Sequence, residues 1–236
     1  MAAGTGSTAS KKMDPVFMFD VLVRLIPPLG LTIALSLTAL LIATPIGLGL
    51  GMLRATLTDG SIAARILDLY VFVVRGTPIL IQIFAVYFLL PMTGLKLPLF
   101  WMGVLALVFN SAGYQIEIAR AGVNSVPRGQ WEAAAAIGFN RSQSLLTFIL
   151  PQAARRMAGP VMNELSQLIK ASSVLSVITL YELHKASEAI ISANFRFVEV
   201  LIVEGFWYFV FVYTLVIIAQ RIEGRFSASG GLAEQR

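Results

Sequence analysis

Polar and ionisable side chains interrupt the apolar stretch that follows Pro151, and their spacing would let them bind a charged solute. Asn163, Gln167 and Lys170 stand at i, i+4 and i+7, so a helix would present them on one face. Such residues are costly in lipid and by default mark a site or pathway. A zwitterionic amino acid needs an acceptor for its ammonium group, which Glu164 would supply, and donors for its carboxylate, among them Lys170. An ion pair between Glu164 and Lys170 that only holds helices together is the alternative.

A second group of residues could bind the carboxylate of such a solute. The segment Arg75-Gly76-Thr77-Pro78 breaks another apolar run, and Gln82 follows it. Thr77 and Pro78 can cap a new half-helix, whose N-terminal dipole favours a carboxylate. The sequence therefore predicts substrate contacts at Thr77 and Gln82, in addition to those of residues 163–170.

The elements that must position these residues are membrane helices. The chain has 236 residues, of which 57% are hydrophobic and 13% are charged, whereas soluble domains carry about 25% charged residues. A span needs roughly 20 apolar residues, and its backbone must form its hydrogen bonds internally. The sequence predicts an all-α, polytopic membrane protein with five transmembrane helices, at about residues 29–53, 66–90, 99–118, 151–174 and 200–222.

One transmembrane domain over residues 16–226 is the simplest organisation, because no internal repeat is evident. Residues 1–15 are predicted to be a disordered N-terminal tail and residues 227–236 a C-terminal tail. An amphipathic lead-in at residues 16–26 should lie at the membrane interface. The segment 172–197 is too polar to span and is expected to form an outer-face connection with a short helix.

The stretch between the third and fourth predicted spans is polar and helix-prone. Four alanines follow Glu132, which favours a helix as far as Ile137. Gly138 can supply the left-handed residue that ends such a helix, and Pro151 suits the start of the next one. A short rigid helix across one membrane face could enter a groove on a partner protein. An ordinary amphipathic connector is the alternative.

Loop charges predict an orientation for the chain. If the loop that contains Glu132 is cytoplasmic, ten arginines lie on that side and six lysines or arginines lie outside, as the positive-inside rule requires. The N-terminus would then be outside and the C-terminus cytoplasmic, although Lys11 and Lys12 argue against this. The net charge of +5 reflects these loops and does not indicate nucleic acid binding.

The segment from Trp131 to Gln152 resembles the EAA loop of permease subunits of ATP-binding cassette importers. The residues that fall on that loop's pattern are Glu132, Ala133, Ala134, Gly138, Leu150 and Pro151. Three further segments resemble the polar amino acid branch, which includes histidine, arginine, glutamine and glutamate permeases. They are the segment from Arg75 to Gln82, the segment from Gly113 to Gln130, and the segment from Asn163 to Ser173.

The resemblance covers about residues 29–226 and has three departures. Phe148 replaces a more common isoleucine, and Ala121 stands where glycine is common. Ala171 replaces an acidic residue that often follows the lysine, which leaves the identity of the amino acid open.

The resemblance implies the transmembrane subunit of an ATP-driven importer that moves a polar amino acid across a bacterial inner membrane by alternating access. Glu132, Ala133, Ala134 and Gly138 would couple it to a separate ATPase. The implied partners are an ATP-binding cassette ATPase dimer, a second permease subunit (identical or paralogous), an extracytoplasmic amino acid-binding protein and membrane lipid. The chain is not expected to be an enzyme or to bind a cofactor, because it contains no GxxxxGK[ST] phosphate loop; ATP and Mg would bind to the ATPase.

An alternative from a different class of protein is an ion-coupled secondary amino acid transporter, in which Glu164 titrates with a coupling proton. The odd number of spans and the polar loop that contains Glu132 favour the importer.

Three smaller expectations concern two single residues and one group of glycines. Arg75 should neutralise Asp68 or cap a helix end, and His184 should be a plain surface residue. A stripe of small residues should allow close helix packing; it consists of Gly47, Gly49 and Gly51.

Overall fold

The computed structural model describes residues 13–228, apart from the side chains at positions 219–220 and 222–228. The described part is helical and contains no strand. Its helices are α1 (Pro15–Arg24), α2 (Ile26–Thr56), α3 (Ile62–Gly76), α4 (Ile79–Phe84), α5 (Leu99–Asn124), α6 (Arg128–Ala136), α7 (Arg141–Ser144), α8 (Leu150–Ala171), α9 (Leu183–Asn194) and α10 (Phe197–Ala228). Most of the two predicted tails lies outside the described residues.

Three of these helices are long and apolar enough to cross a membrane, namely Ile26–Thr56, Leu99–Asn124 and Phe197–Ile218. A fourth crossing results if the bent pair Ile62–Gly76 and Ile79–Thr93 forms one span. The predicted fourth span corresponds to α8, whose arginines, Glu164 and Lys170 make it too polar to qualify by composition. The all-helical membrane architecture is therefore confirmed, whereas the count of five spans stays a prediction.

Helices α2 and α5 make the most extensive helix–helix contact in the described part of the chain, and two glycines allow their close approach. A Cβ atom at Gly47 would lie 2.6 Å from Gln115 Cβ, and one at Gly51 would lie 2.6 Å from Ala119 Cβ. The predicted packing stripe is therefore confirmed at these two positions. Gly49 has no neighbouring atom within 4 Å of such a Cβ, because it faces away from α5.

The amphipathic lead-in forms helix α1, which packs against α10. Asp14 caps α1 by accepting hydrogen bonds from Val16 N and Phe17 N. Arg196, just before α10, donates to Asp14 Oδ2 at 3.3 Å and lies 4.4 Å above the Phe17 ring. These contacts join the start of the described chain to the start of its last helix.

Ion pairs join α2 to α3 and α3 to α5, but not in the way that the sequence suggests for Arg75. Asp68 pairs with Arg54, with Nε and Oδ1 2.7 Å apart. Among the described residues, Arg75 pairs with Glu117, with Nη1 and Oε1 4.0 Å apart. The predicted partner was wrong because α2 packs beside α3 and brings Arg54 closer to Asp68.

The connection between α8 and α10 contains a 3-10 helix, Ser172–Ile178, followed by α9, so the predicted short helix is present. Glu182 is fully buried and caps α9 by accepting hydrogen bonds from His184 N and Lys185 N, both at 2.9 Å. Its Oε2 also lies 3.4 Å from Thr32 Oγ1 in α2 and 3.2 Å from Tyr208 Oη in α10. The carboxylate therefore joins three helices.

His184 is not a plain surface residue. Its Nδ1 lies 2.7 Å from Glu204 Oε1, its Nε2 lies 3.5 Å from Glu188 Oε1, and its side chain is 33% exposed. The expectation failed because Glu204 belongs to α10, and sequence distance does not show that α10 packs against α9.

Candidate functional site

The loop between α5 and α8 contains a short helix, α6, that ends as the sequence predicts. Gly138 has φ +89°. Its N–H donates to Ala135 O at 3.0 Å, and Phe139 N donates to Ala134 O at 3.1 Å. This pair of bonds is the Schellman motif, which satisfies the last carbonyls of a helix by turning the chain through a left-handed residue. The predicted role of Gly138 as a helix terminator is confirmed.

Helix α6 presents a free face. Glu132 and Ala133 are exposed, whereas Ala134 is buried. A cavity of about 660 Å³ opens between α6, the end of α2 and α7; its lining includes Ala55, Asp59, Arg128, Trp131, Glu132 and Arg141. The arrangement gives a rigid helix with one side fixed to the bundle and one side available to a partner.

Arg141 fixes this loop to the transmembrane helices. Its Nη2 donates to Ala55 O in α2 at 3.2 Å, and its guanidinium lies 5.9 Å from the centre of the Trp131 ring in α6. Arg141 was not singled out from the sequence, because its partner lies 86 positions away.

The helix that follows the loop starts earlier than Pro151. Asn140 and Gln143 form a capping box, and the helical path continues without a gap through α7 and a π-helical segment, Leu145–Ile149, into α8. Pro151 occupies the first turn of α8, as predicted, but no loop precedes it. A proline has no N–H to donate to the preceding turn. That preceding turn is the wider π-helical segment, Leu145–Ile149.

The break in the second apolar segment is present and sharp. Helix α3 ends at Gly76, α4 starts at Ile79, and the axes of the bent pair differ by 111°. The side chain of Gln82 is buried, and its Nε2 lies 2.9 Å from Val74 O, 3.1 Å from Thr77 O and 2.9 Å from Thr77 Oγ1. Gln82 thus satisfies backbone carbonyls that the break would leave unpaired.

Thr77 does not cap α4. Its hydroxyl donates to Val73 O at 2.8 Å, and the first residues of α4 receive no side-chain hydrogen bond. The prediction failed because Pro78 occupies the capping position, so Thr77 lies one residue too early and bonds back to α3.

Glu164 points into the bundle. It is 9% exposed, and its Oε1 accepts a hydrogen bond from Ser111 Oγ in α5 at 2.8 Å. Ser111 Oγ in turn accepts from Gln115 Nε2 at 3.1 Å. In the described residues Glu164 makes no ion pair with Lys170. Ser111 and Gln115 were missed from the sequence, because small polar residues within an apolar helix show no partner until the helices are packed.

Asn163, Gln167 and Lys170 are exposed together on α8, which agrees with their predicted common face. Lys170 also lines a groove of about 290 Å³ with residues of α10, among them Tyr208, Phe209 and Tyr213. The structure therefore separates the predicted substrate residues of α8 into Glu164, which faces α5, and an exposed polar stripe of the other three.

The break and Glu164 meet on α5. Asn110 Nδ2 donates to Gln82 Oε1 at 3.0 Å, and the next residue, Ser111, holds Glu164. Two consecutive residues of one helix therefore connect the two groups that the sequence selects as substrate contacts.

A family model described as a binding-protein-dependent transport system inner membrane component matches residues 43–227. Because this match covers most of the chain, the chain belongs to that family of membrane transport components.

Individual relatives are permeases. The chain is 33% identical over 214 residues to the arginine transport system permease protein ArtQ of Bacillus subtilis (strain 168), covering 89% of this chain and 98% of that protein. It is 36% identical over 183 residues to the glutamine transport system permease protein GlnP of Escherichia coli (strain K12), covering 76% and 84%. Both proteins bear out the predicted resemblance to amino acid permeases.

Solved structures share the fold. A crystal structure of an amino acid ABC transporter with histidines superposes with a TM-score of 0.80 at 30% identity, covering 90% of this chain and 99% of that one. An inward-facing MetNI methionine ABC transporter superposes with a TM-score of 0.69 at 20% identity, covering 92% and 99%, which shows likeness of fold alone.

Proposed function

We propose that the chain is the transmembrane subunit of an ATP-driven importer that carries a polar amino acid across the inner membrane. The observation that carries this proposal is α6, a short helix with an exposed Glu132 face, a left-handed end at Gly138 and an anchor at Arg141. The relatives named for arginine and glutamine transport support an amino acid as the solute.

In this proposal α6 seats in a groove on one subunit of a separate ATPase dimer, which binds ATP and Mg. Arg141 contacts both Trp131 of α6 and Ala55 at the end of α2, so a displacement of α6 would also move α2. Because α2 packs tightly on α5 through Gly47 and Gly51, these helices would move together. Such motion would alternate access to a site in the bundle.

The amino acid would bind near Glu164, which would accept its ammonium group, and Lys170 would meet its carboxylate. Asn163 and Gln167 share the exposed stripe with Lys170 and would complete the polar path. Thr77 and Gln82 already bond within the chain, so their contact with substrate would require the break to open.

The other partners follow from the same proposal. A second permease subunit, identical or paralogous, would face the exposed stripe of α8 and enclose the polar path with it. An extracytoplasmic binding protein would deliver the amino acid. The loop with Glu132 and the C-terminus would face the cytoplasm, and the N-terminus would lie outside.

The test is coupling in proteoliposomes that contain the subunit, its ATPase and its binding protein. Glu132→Lys reverses a charge on the docking face, and Gly138→Val places a β-branched residue in a left-handed conformation, at a cost of about 1–2 kcal/mol. Both variants should lower substrate-stimulated ATP hydrolysis and uptake together. Gly138→Asn is the matched control, because asparagine tolerates this conformation, and it should retain more activity.

Two results would overturn the proposal. One is wild-type coupling in both Glu132→Lys and Gly138→Val, which would show that α6 does not transmit motion. The other is uptake by the chain alone, driven by a pH gradient without ATP, which would indicate a secondary transporter.

A further inference from the structure

A chain of hydrogen bonds between α5 and α8 ends at Glu164. Gln115 Nε2 donates to Ser111 Oγ at 3.1 Å, and Ser111 Oγ donates to Glu164 Oε1 at 2.8 Å. Gln115 is fully buried and Ser111 is 1% exposed, so water does not compete for these bonds. These hydrogen bonds lie beside the tight α2–α5 contact, since Gln115 Cβ is the atom nearest to a Cβ placed at Gly47.

The direction of these hydrogen bonds determines which group receives the hydroxyl hydrogen of Ser111. A serine hydroxyl has one hydrogen and two lone pairs. Because Gln115 already donates to the Ser111 oxygen, the single hydroxyl hydrogen is directed to Glu164. Glu164 Oε1 is thereby occupied, whereas Oε2 receives no hydrogen bond from the described residues and can accept a second donor.

We propose that Ser111 and Gln115 are positioning residues that hold the Glu164 carboxylate with Oε2 directed to the ammonium group of the transported amino acid. This inference rests on the proposed function. Because one oxygen is held in place before binding, the Glu164 side chain loses less conformational entropy when the substrate binds, and the affinity is higher. Ser111 acts by its hydrogen bond and Gln115 acts through Ser111, so neither residue needs to touch the substrate.

The experiment measures binding of free L-arginine and L-glutamine to the detergent-solubilised complex of permease and ATPase, without the binding protein, by calorimetry. A hydrogen bond to a charged group contributes about 1.5–3 kcal/mol, which is tenfold or more in affinity. For whichever of the two amino acids binds the wild type, Ser111→Ala should lower the affinity about tenfold. Gln115→Leu should lower it by a smaller factor. Ser111→Thr keeps the hydroxyl and should restore most of the affinity.

A second readout separates positioning from general damage. The deaminated analogue of the same amino acid, with a hydroxyl in place of the ammonium group, cannot use a charged Glu164 in the same way. Ser111→Ala should reduce the preference for the amino acid over this analogue. Ser36→Ala is the matched control, because Ser36 is also fully buried in the bundle and its hydroxyl has no partner among the described residues; that preference should stay unchanged.

The outcomes distinguish this inference from the proposed site. If Glu164→Gln weakens binding but Ser111→Ala and Gln115→Leu do not, only the positioning role is wrong. Suppose that Ser111→Ala weakens binding of the amino acid and of its analogue equally, and that Ser111→Thr does not restore the affinity. Residue 111 then matters only for the structure of the bundle, and the inference is also wrong. If Glu164→Gln binds the amino acid as tightly as the wild type does, the substrate site itself is wrongly placed.

Discussion

Asn110 donates a hydrogen bond from Nδ2 to Gln82 Oε1 at 3.0 Å, and this bond holds α5 against the sharp break between α3 and α4. Gln82 can serve the break only while its amide nitrogen faces the carbonyls of Val74 and Thr77. Asn110 fixes that orientation by taking the amide oxygen. The bond therefore stabilises an unusual backbone shape from a neighbouring helix.

We expect Asn110→Leu to destabilise the subunit, because it leaves the buried oxygen of Gln82 without its donor. Such a loss costs about 1–3 kcal/mol. Gln82→Leu should also destabilise, and the double variant should lose less than the sum of the two, with a coupling energy of about 0.5–3 kcal/mol. Thermal unfolding of all four proteins in detergent measures this cycle, and strictly additive losses would show that the two residues act independently.

The α2–α5 contact predicts opposite results for two neighbouring glycines. A Cβ at Gly51 would overlap Ile116 O and Ala119 Cβ, so Gly51→Ala should force the helices apart at a cost of about 1–3 kcal/mol. Gly49→Ala meets no atom within 4 Å and should be neutral or stabilising, since alanine favours a helix over glycine. Equal unfolding temperatures for the two variants would contradict the close approach of α2 and α5.

Topology can be measured with single cysteines, because the chain has none of its own. Ser192 in α9 and Ser142 in α7 are both exposed in the subunit, so a cysteine at either position should react when it is reachable. An impermeant thiol reagent added to intact cells should label Ser192→Cys and spare Ser142→Cys. After the cells are opened, both should be labelled. The reverse pattern in intact cells would refute the proposed cytoplasmic position of the loop with Glu132.

Glu182 predicts a pH dependence of stability in the connection between α8 and α10. Burial raises the pKa of its carboxyl above the ordinary value of 4.5, although the N–H groups of His184 and Lys185 act in the opposite direction. A raised pKa means that the protonated form is favoured in the folded state. The resulting stabilisation is fully present below pH 4.5 and is lost as the pH rises through the folded-state pKa.

Glu182→Gln removes this titration while keeping an acceptor for the cap of α9. The unfolding temperature of the variant, relative to that of the wild type, should therefore increase as the pH rises from 4 towards neutrality. Parallel curves over this range would show that the Glu182 carboxyl has the same pKa in the folded and unfolded states.

Local signals in the sequence determined most of the helices and several of their ends. Long apolar runs correspond to α2, α5 and α10, the pair Thr77-Pro78 marks the break, and Gly138 ends α6 with the predicted left-handed backbone. Each of these features depends on residues within a few positions of one another, so one chain segment contains the whole physical cause. The family resemblance likewise rests on short local segments, among them the break at Thr77-Pro78 and the loop that contains Gly138.

Only the tertiary structure decided which polar groups meet. The Ser111–Glu164 bond joins residues 53 positions apart, and the Asn110–Gln82 bond joins residues 28 positions apart. The pairing of His184 with Glu204 depends likewise on how α9 lies against α10. The reason is physical: a buried polar side chain is stabilised by a hydrogen-bond partner, but the sequence does not show which helix will present one. Close packing, here through Gly47 and Gly51, fixes the neighbours of each helix face.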